Sequence, residues 1–174
     1  MRVLWWLGVI LCCAAMALPA RAEVTATDLQ IAGRALSFME NPLTGVVRVG
    51  ILYAPSSPRS QRQAEELESL LGGGLKAGNV ELRPEMVKMS DAGDSNVDLF
   101  FLTEYVNADE ARAADLGAAR QRACITTDIA QVESGACLMG VRSRPKVEIV
   151  INQAAAKDSG VVFATVFRVM ITEI

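Results

Sequence analysis

The stretch V-E-I-V-I-N-Q-A-A-A-K-D-S-G, from Val147 to Gly160, decides how this chain folds. Val147, Ile149 and Ile151 alternate with Glu148, Val150 and Asn152. This alternation predicts a β-strand that is buried on one face and nearly buried on the other. Asn152 can cap a short helix directly after this strand, and Gly160 supplies the left-handed residue that ends such a helix. A strand of this kind needs a sheet around it, so we expect the rest of the chain to supply one.

The segment that follows repeats apolar residues at helical spacing. Six of them fall at i, i+3, i+4, i+7, i+8 and i+11, which places them on one face of a helix despite several β-branched side chains. The pattern predicts an amphipathic helix that closes the fold, packed on the protein's own sheet or, alternatively, used at an interface. This face consists of Phe163, Val166, Phe167, Met170, Ile171 and Ile174.

Helix signals alternate with strand signals through the rest of the chain. A first helix is predicted over residues 25–41 with Thr27 as its cap. A second helix begins at Pro58 with Ser57 as its cap, and glycines from residue 72 onward end it. A capping-box pattern at Asn107 predicts a third helix that reaches about residue 121.

Five apolar segments, besides the one at Val147, have the length and composition of strands. The segment that contains Pro84 is predicted to lie at an edge, because proline cannot donate to a strand ladder. The alternation predicts an α/β fold: one domain with a mostly parallel central sheet, helices on both faces, and a C-terminal β-hairpin plus the amphipathic helix. The five strands are Val46–Tyr53, Val80–Val87, Val97–Leu102, Ala123–Thr127 and Cys137–Val141.

The first 22 residues have the pattern of a secretory signal peptide. A basic start at Arg2 precedes an apolar run, and Ala20-Arg21-Ala22 has the small residues of a cleavage site. We therefore predict cleavage after Ala22, a mature domain of residues 23–174, a periplasmic location and no membrane insertion after cleavage. A retained membrane anchor is the less favoured alternative.

The net charge of the mature chain narrows the class of partner. Removing the two arginines of the leader leaves 15 basic residues against 20 acidic ones, a formal charge of −5. Such a surface, without a basic stripe, argues against nucleic acid as a partner.

Two cysteines remain after cleavage, Cys124 and Cys137. They can pair in an oxidising compartment, which is the favoured interpretation, or stay as buried thiols on neighbouring strands.

The stretch that opens this section, preceded by G-A-C-L-M-G-V, resembles the YfiR-like family of small periplasmic proteins. Members of that family end with a strand, an I-N pair, an alanine-rich turn, S-G and a terminal helix, and weaker similarity extends from Asp28 onward. The resemblance implies an α/β domain that binds the periplasmic part of an inner-membrane sensor or diguanylate cyclase and restrains it. Cyclic-di-GMP output and biofilm behaviour would then respond to the envelope, and a homodimer is compatible with the family.

The residue inventory predicts no catalytic site and no cofactor. The chain has no histidine, which removes histidine-based triads and histidine-ligated zinc. The glycine-rich phosphate-binding motifs are also absent. Glu104 and Asp128 are better explained as solvated or capping residues than as an acid/base pair. We therefore expect a non-enzymatic regulator, with a small periplasmic solute-binding or transport-accessory protein as the alternative.

One group of polar residues is expected to gather at a single edge of the sheet. The carboxyl ends of parallel strands meet at one rim, and open α/β sheets bind ligands where the strand order reverses. The alternative is that these residues merely begin loops and cap helices. The candidate ligand or partner rim consists of Tyr53, Ser56 and Ser57, then Thr103, Glu104 and Tyr105, then Thr126, Thr127 and Asp128.

Overall fold

A computed structural model of the chain describes residues 23–107, 111 and 122–174. The predicted leader, and the third predicted helix apart from residues 107 and 111, lie outside the described residues. The α-helices are α1 (Ala26–Ala35), α2 (Pro58–Leu71), α3 (Ile129–Glu133), α4 (Gln153–Asp158) and α5 (Thr165–Arg168). The strands are β1 (Gly45–Tyr53), β2 (Leu75–Ala77), β3 (Val80–Lys88), β4 (Leu99–Leu102), β5 (Ala123–Thr126), β6 (Met139–Arg142), β7 (Glu148–Ile151) and β8 (Thr172–Glu173).

The eight strands form one mixed sheet in the order β2-β3-β1-β4-β5-β6-β7-β8. The five strands from β3 to β6 in this order are parallel to one another. β2 runs antiparallel to β3. β7 runs antiparallel to β6, with which it forms the predicted hairpin, and parallel to β8. The predicted α/β fold with a mostly parallel sheet is confirmed.

Helices cover both faces of this sheet. On one face, α1 and α2 share an apolar core with alternate residues of β1, β3, β4, β5 and β6. On the other face, α3 packs against Gly140 of β6, where a Cβ atom would lie 2.7 Å from the Ile129 side chain. Only glycine leaves room for this contact, which brings α3 down onto the sheet.

The two N-terminal helices begin as capping chemistry dictates. Ser57 caps α2 and Pro58 is its first residue, as predicted. The predicted cap of α1 is wrong, because Thr25 takes that position instead of Thr27. Thr25 and Asp28 form a capping box, in which each side chain binds the backbone N–H of the other residue. Asp28 stands three residues after Thr25, the spacing that this box requires.

Pro84 lies near the sheet edge but not in the outermost strand. The short strand β2 pairs with the first residues of β3, up to Leu82, and leaves Pro84 without a neighbour on that side. On its other side Pro84 is in register with Val49 of β1. The proline therefore occupies the unpaired half of β3, where a missing N–H costs nothing.

The predicted closing helix is wrong for most of its length. One helical turn, α5, separates an isolated bridge between Met39 and Phe163 from the strand β8, which pairs with β7. Phe163 and Phe167 are buried, but Val166 and Met170 of the predicted inner face are each 62% exposed. Many residues of this segment are β-branched, and the free edge of β7 offers them backbone partners that a helix would not use.

Candidate functional site

The strand order reverses at the carboxyl ends of β1 and β4. From β1 the chain crosses to β3 on one side, and it then returns to β4 on the other side. Ligands of open α/β sheets bind in the crevice that such a reversal creates. The predicted rim residues follow β1, β4 and β5, three neighbouring parallel strands, so the structure brings them to one edge.

Ser60 of α2 and Thr103 fill the crevice between the two strand ends. Both residues are completely buried, and their hydroxyl oxygens lie 2.7 Å apart. The Ser60 hydroxyl oxygen also accepts the N–H of Ala54 at 2.9 Å, and the Thr103 hydroxyl donates to the carbonyl of Leu52 at 3.1 Å. These bonds satisfy the backbone groups that a ligand would otherwise meet here.

A second set of bonds holds the residue after Thr103. The side-chain carbonyl of Gln63, one turn further along α2, accepts the N–H of Glu104 at 2.7 Å. The Thr127 hydroxyl donates to the Glu104 carboxylate at 2.5 Å. Glu104 is 9% exposed, so only a small part of it reaches the surface of the rim. The ends of β4 and β5 are thereby tied to each other and to α2.

Gln131 of α3 completes this buried polar network. Its amide nitrogen donates to the carbonyls of Thr103 and Val106 at 2.9 and 3.0 Å. Its amide oxygen accepts the hydroxyl proton of Thr126 at 2.6 Å. Among the described residues, no buried side-chain nitrogen or oxygen lacks a hydrogen-bond partner. A network that is satisfied in this way specifies one arrangement of the rim and resists opening.

The other predicted rim residues stay at the surface or cap helices. Ser57 caps α2, and Asp128 accepts the N–H of Ala130 at 3.0 Å as the cap of α3. The guanidinium of Arg59 lies 5.9 Å from the centre of the Tyr105 ring. Tyr53 and Tyr105 are half-buried and Ser56 is exposed. Whether any of the nine binds a ligand or partner stays a prediction.

Two open depressions flank Glu104 at the surface of the rim. One of about 90 Å³ lies toward the β6–β7 hairpin and is lined in part by Asp28, Asp128 and Arg142. The other, of about 340 Å³, lies toward α2, and its charged lining is Glu23, Arg59, Arg62, Glu66 and Glu104. Charged groups of both signs line each depression, so the rim offers a mixed polar surface.

Three residues of the rim network were missing from the sequence-based set: Ser60, Gln63 and Gln131. Ser60 and Gln63 lie on the same helical face as Ala64, Leu67 and Leu71, all of which are buried. Polar residues within an apolar stripe are a signal that the sequence does contain. Gln131 has no such signal, because α3 is a single short helix of five residues.

Cys124 and Cys137 lie at disulfide-bonding distance, with their Cα atoms 4.9 Å apart. Both are buried, on the sheet face opposite α1 and α2. The N–H of Cys137 donates to the carbonyl of Gln131 at 3.2 Å. The loop that the two cysteines close therefore contains α3 and three members of the rim network, Thr126, Thr127 and Gln131.

The clearest ionic interactions lie away from the rim. Burial opposes the charge of Asp98, but hydrogen bonds from the Arg48 side chain and backbone outweigh it and lower the pKa of this carboxyl. At the other end of the sheet, the side-chain hydrogen bond between Arg168 and Glu173 lowers the pKa of Glu173 and raises that of Arg168. Both pairs stabilise local structure away from the rim.

Two further properties concern metal binding and membrane-spanning helices in the described residues. No three histidine, cysteine, aspartate or glutamate side chains within residues 23–107, 111 and 122–174 gather where they could hold a metal ion. In the same part of the chain, every helix falls short of the length and apolarity needed to cross a membrane.

The chain matches no protein-family model, and no curated protein matches its sequence. Its fold is similar to that of an ABC domain from Streptococcus pneumoniae in complex with L-Trp, with a TM-score of 0.56 and 14% identity, over 84% of this chain and 60% of that one. A conserved domain protein from Vibrio cholerae is similar with a TM-score of 0.54 and 13% identity, over 85% and 59%. The chain thus spans about three fifths of the length of these neighbours, and the likeness concerns the fold alone.

Proposed function

We propose that this protein is a non-enzymatic regulator of the cell envelope, which binds the periplasmic part of an inner-membrane signalling protein through its rim. One observation carries the proposal. The crevice in which this fold usually takes a small ligand is filled by Ser60, Thr103 and Gln63, which bind one another or the strand ends. The rim can therefore offer its outer surface to a partner more readily than it can enclose a solute.

The character of that outer surface supports a protein partner. Arg59 and Arg62 are exposed on α2 beside Glu66, and Tyr105 lies next to Arg59. Arginine and tyrosine are enriched where proteins bind each other, and mixed charges set orientation more than affinity. A diguanylate cyclase is the partner that resemblance to the YfiR-like family favours.

The location belongs to the same proposal. A leader that ends in Ala20-Arg21-Ala22 directs the chain across the inner membrane, and a cysteine pair at bonding distance suits an oxidising compartment. Export would bring the rim to the periplasmic domains of membrane sensors.

Co-purification from membranes tests the proposal. The tagged, exported protein is expected to retain a membrane signalling protein, and Arg62→Glu is expected to weaken this capture because it reverses a charge on the rim. Arg34→Glu is the matched control, since Arg34 is also exposed but lies at the far end of α1. Equal capture by both variants, or capture of no sensor or cyclase by the parent protein, contradicts the proposal.

A second candidate is a small solute-binding or transport-accessory protein. The likeness in fold to a domain in complex with L-Trp favours it, although this chain spans only 60% of that chain. Thermal unfolding in the presence of L-Trp, other amino acids, nucleotides and small anions separates the two candidates. We expect no shift in the melting temperature. A concentration-dependent rise of several degrees with one of them would favour solute capture instead.

A further inference from the structure

The outer face of α2 carries its charges in two blocks. Arg59 and Arg62 lie in the half of the helix that begins at the rim, and acidic residues follow them in the half that ends before Gly72. These five charged residues are all exposed. We call the surface that they form the α2 face, and its acidic members are Glu65, Glu66 and Glu68.

This order of charges opposes the dipole of the helix. The first turn of an α-helix is the positive end of its macrodipole and favours acids, whereas the last turn favours bases. α2 has no acid in its first turn and no base in its last turn, and Arg59 and Glu68 stand there instead. Arg62 and Glu66 add to the conflict, because an i, i+4 ion pair is weaker when its base comes first. The order of charges therefore does not stabilise α2.

The neighbours of α2 do not neutralise these charges. Within residues 23–107, 111 and 122–174, the ion pairs lie on other elements and none of them contains a residue of α2. Glu65 accepts a hydrogen bond from the Gln61 side chain at 3.3 Å, and Arg59 lies against the Tyr105 ring. Residues that break a local rule of stability without a compensating contact are typical of a functional surface.

One end of the α2 face adjoins a depression that a second molecule can fill. Arg59, Arg62 and Tyr105 line this depression of about 340 Å³ together with carboxylates, so charges of both signs surround it. A neutral side chain suits the depression itself, and acidic side chains suit the two exposed guanidiniums beside it. Glu68 lies nine positions after Arg59, which is about 14 Å along the helix axis. A partner that follows α2 from the rim therefore meets bases first and acids last.

We propose that the α2 face is the docking surface for a protein segment with acidic side chains at one end and basic side chains at the other. The acidic end lies against Arg59 and Arg62, and the basic end lies against Glu68. A second copy of α2, turned end to end, would also match the charges. Its acidic end is followed by Gly72 and Gly73, however, which have no side chains to fill the depression. The inference rests on the proposed function, since it assigns the chemistry of the partner that binds at the rim.

Peptide binding tests the order of charges. The probe is a synthetic peptide of about 12 residues, long enough to span the α2 face when extended, with glutamates and a glutamine at one end and lysines at the other. The control peptide has the same residues with the charges alternating. In an NMR titration of the exported protein, the first peptide should bind at least about 5-fold more tightly and shift the amide signals of α2. The difference should vanish at about 1 M salt. Equal affinity of the two peptides at low salt overturns the proposal.

A charge reversal at Glu68 tests the far end of the α2 face. Glu68→Lys should weaken binding of the first peptide at least about 5-fold. It should also raise the melting temperature by about 1–4 °C, because it places a base in the last turn of α2. Glu85→Lys is the matched control, since Glu85 is an exposed glutamate on β3, and it should leave peptide binding unchanged. A Glu68→Lys variant that binds like this control overturns the proposal, as does one less stable than the parent, because Glu68 would then have a structural role.

Capture from membranes separates this inference from the proposed function. A parent protein that retains a membrane sensor, with capture weakened by Arg62→Glu and by Glu68→Lys, supports both. Capture weakened by Arg62→Glu alone leaves the proposed function standing and overturns docking along α2. Capture of no sensor by the parent contradicts the proposed function, and the peptide titration then decides the inference by itself. A parent chain that dimerises, and that Glu68→Lys makes monomeric, assigns the α2 face to a second copy and overturns the inference.

Discussion

The rim and the segment 162–174, which we call the C-terminal edge, are opposite kinds of surface. At the rim, polar side chains are buried and bound to one another, and the crevice of the fold is filled. At the C-terminal edge, apolar side chains are exposed and a strand ends the sheet. Polar residues suggest an exposed rim and apolar residues suggest a buried C-terminal edge, but the structure has the reverse. The packing of helices and strands decides which side chains are buried, and residue type alone does not reveal that packing.

The largest expected effect tests what anchors the C-terminal edge. Phe167 is buried and stacks on Phe38, with ring centres 4.8 Å apart. Phe167→Ala should lower the free energy of unfolding by about 3–5 kcal/mol, because it removes the stack and leaves a cavity. Its neighbour Val166 is exposed, so Val166→Ala should change stability by less than about 0.5 kcal/mol. Urea denaturation measures both, and similar losses would show that the edge is packed differently.

The next prediction concerns the rim network. Gln131→Leu removes three hydrogen bonds and takes a donor away from the buried carbonyls of Thr103 and Val106. We expect a loss of about 3 kcal/mol in unfolding free energy. Gln61→Leu is the control, because Gln61 is an exposed glutamine on α2 whose side chain reaches only Glu65. If Gln131→Leu were as stable as this control, the rim would be held by packing and not by its polar bonds.

Removal of the cysteine pair tests whether the rim depends on the sheet face opposite α1 and α2. Residues 124 and 137 are 13 positions apart, so a disulfide between them should contribute between about 2 and 3 kcal/mol by restricting the unfolded chain. The double variant Cys124→Ser/Cys137→Ser should match the reduced parent in urea, and it should bind a partner more weakly because Gln131 lies in the loop. Reductant should not affect the variant. Unchanged stability and binding would remove any role for the pair.

The smallest effect comes from a pair outside both surfaces. The lowered pKa of Asp98 means that its contribution is present above the ordinary carboxyl pKa, about 4, and is lost as the pH falls through the lower folded value. About a third of the Asp98 side chain is exposed, so Asp98→Asn should cost no more than about 1 kcal/mol at pH 7. The difference in unfolding free energy between parent and variant should shrink by pH 3. An equal difference at pH 7 and pH 3 would mean that the charge of Asp98 contributes nothing to stability.

Local sequence signals were sufficient to predict where α2 and α4 begin and most of the parallel sheet. Ser57 and Pro58 begin α2 where their chemistry predicts, and Asn152 caps α4 in the same way. These elements rest on interactions within a few residues, which the sequence contains in full. The alternation of strands and helices then leaves few possible topologies, so the architecture could be predicted without knowing the strand order.

The structures of the two surfaces depend on contacts between distant parts of the chain, which the sequence alone does not reveal. The spacing of Phe163, Phe167 and Ile174 fits a helix as well as it fits the observed turn and strand, and the free edge of β7 favours the latter. At the rim, the residues after β4 and β5 were predicted to meet, and they do. That Ser60 and Gln63 would close the space between the strand ends depends on how α2 sits on the sheet.

The capping box of α1 has a consequence for the order in which the chain becomes native. The free oxygen of Asp28 accepts the N–H of Ser143 at 2.6 Å, and the two residues are separated by 115 positions. The first helix therefore completes its tertiary contacts only after the last hairpin has been synthesised and has reached it. A contact between such distant positions raises the mean sequence separation of the native contacts, which slows folding.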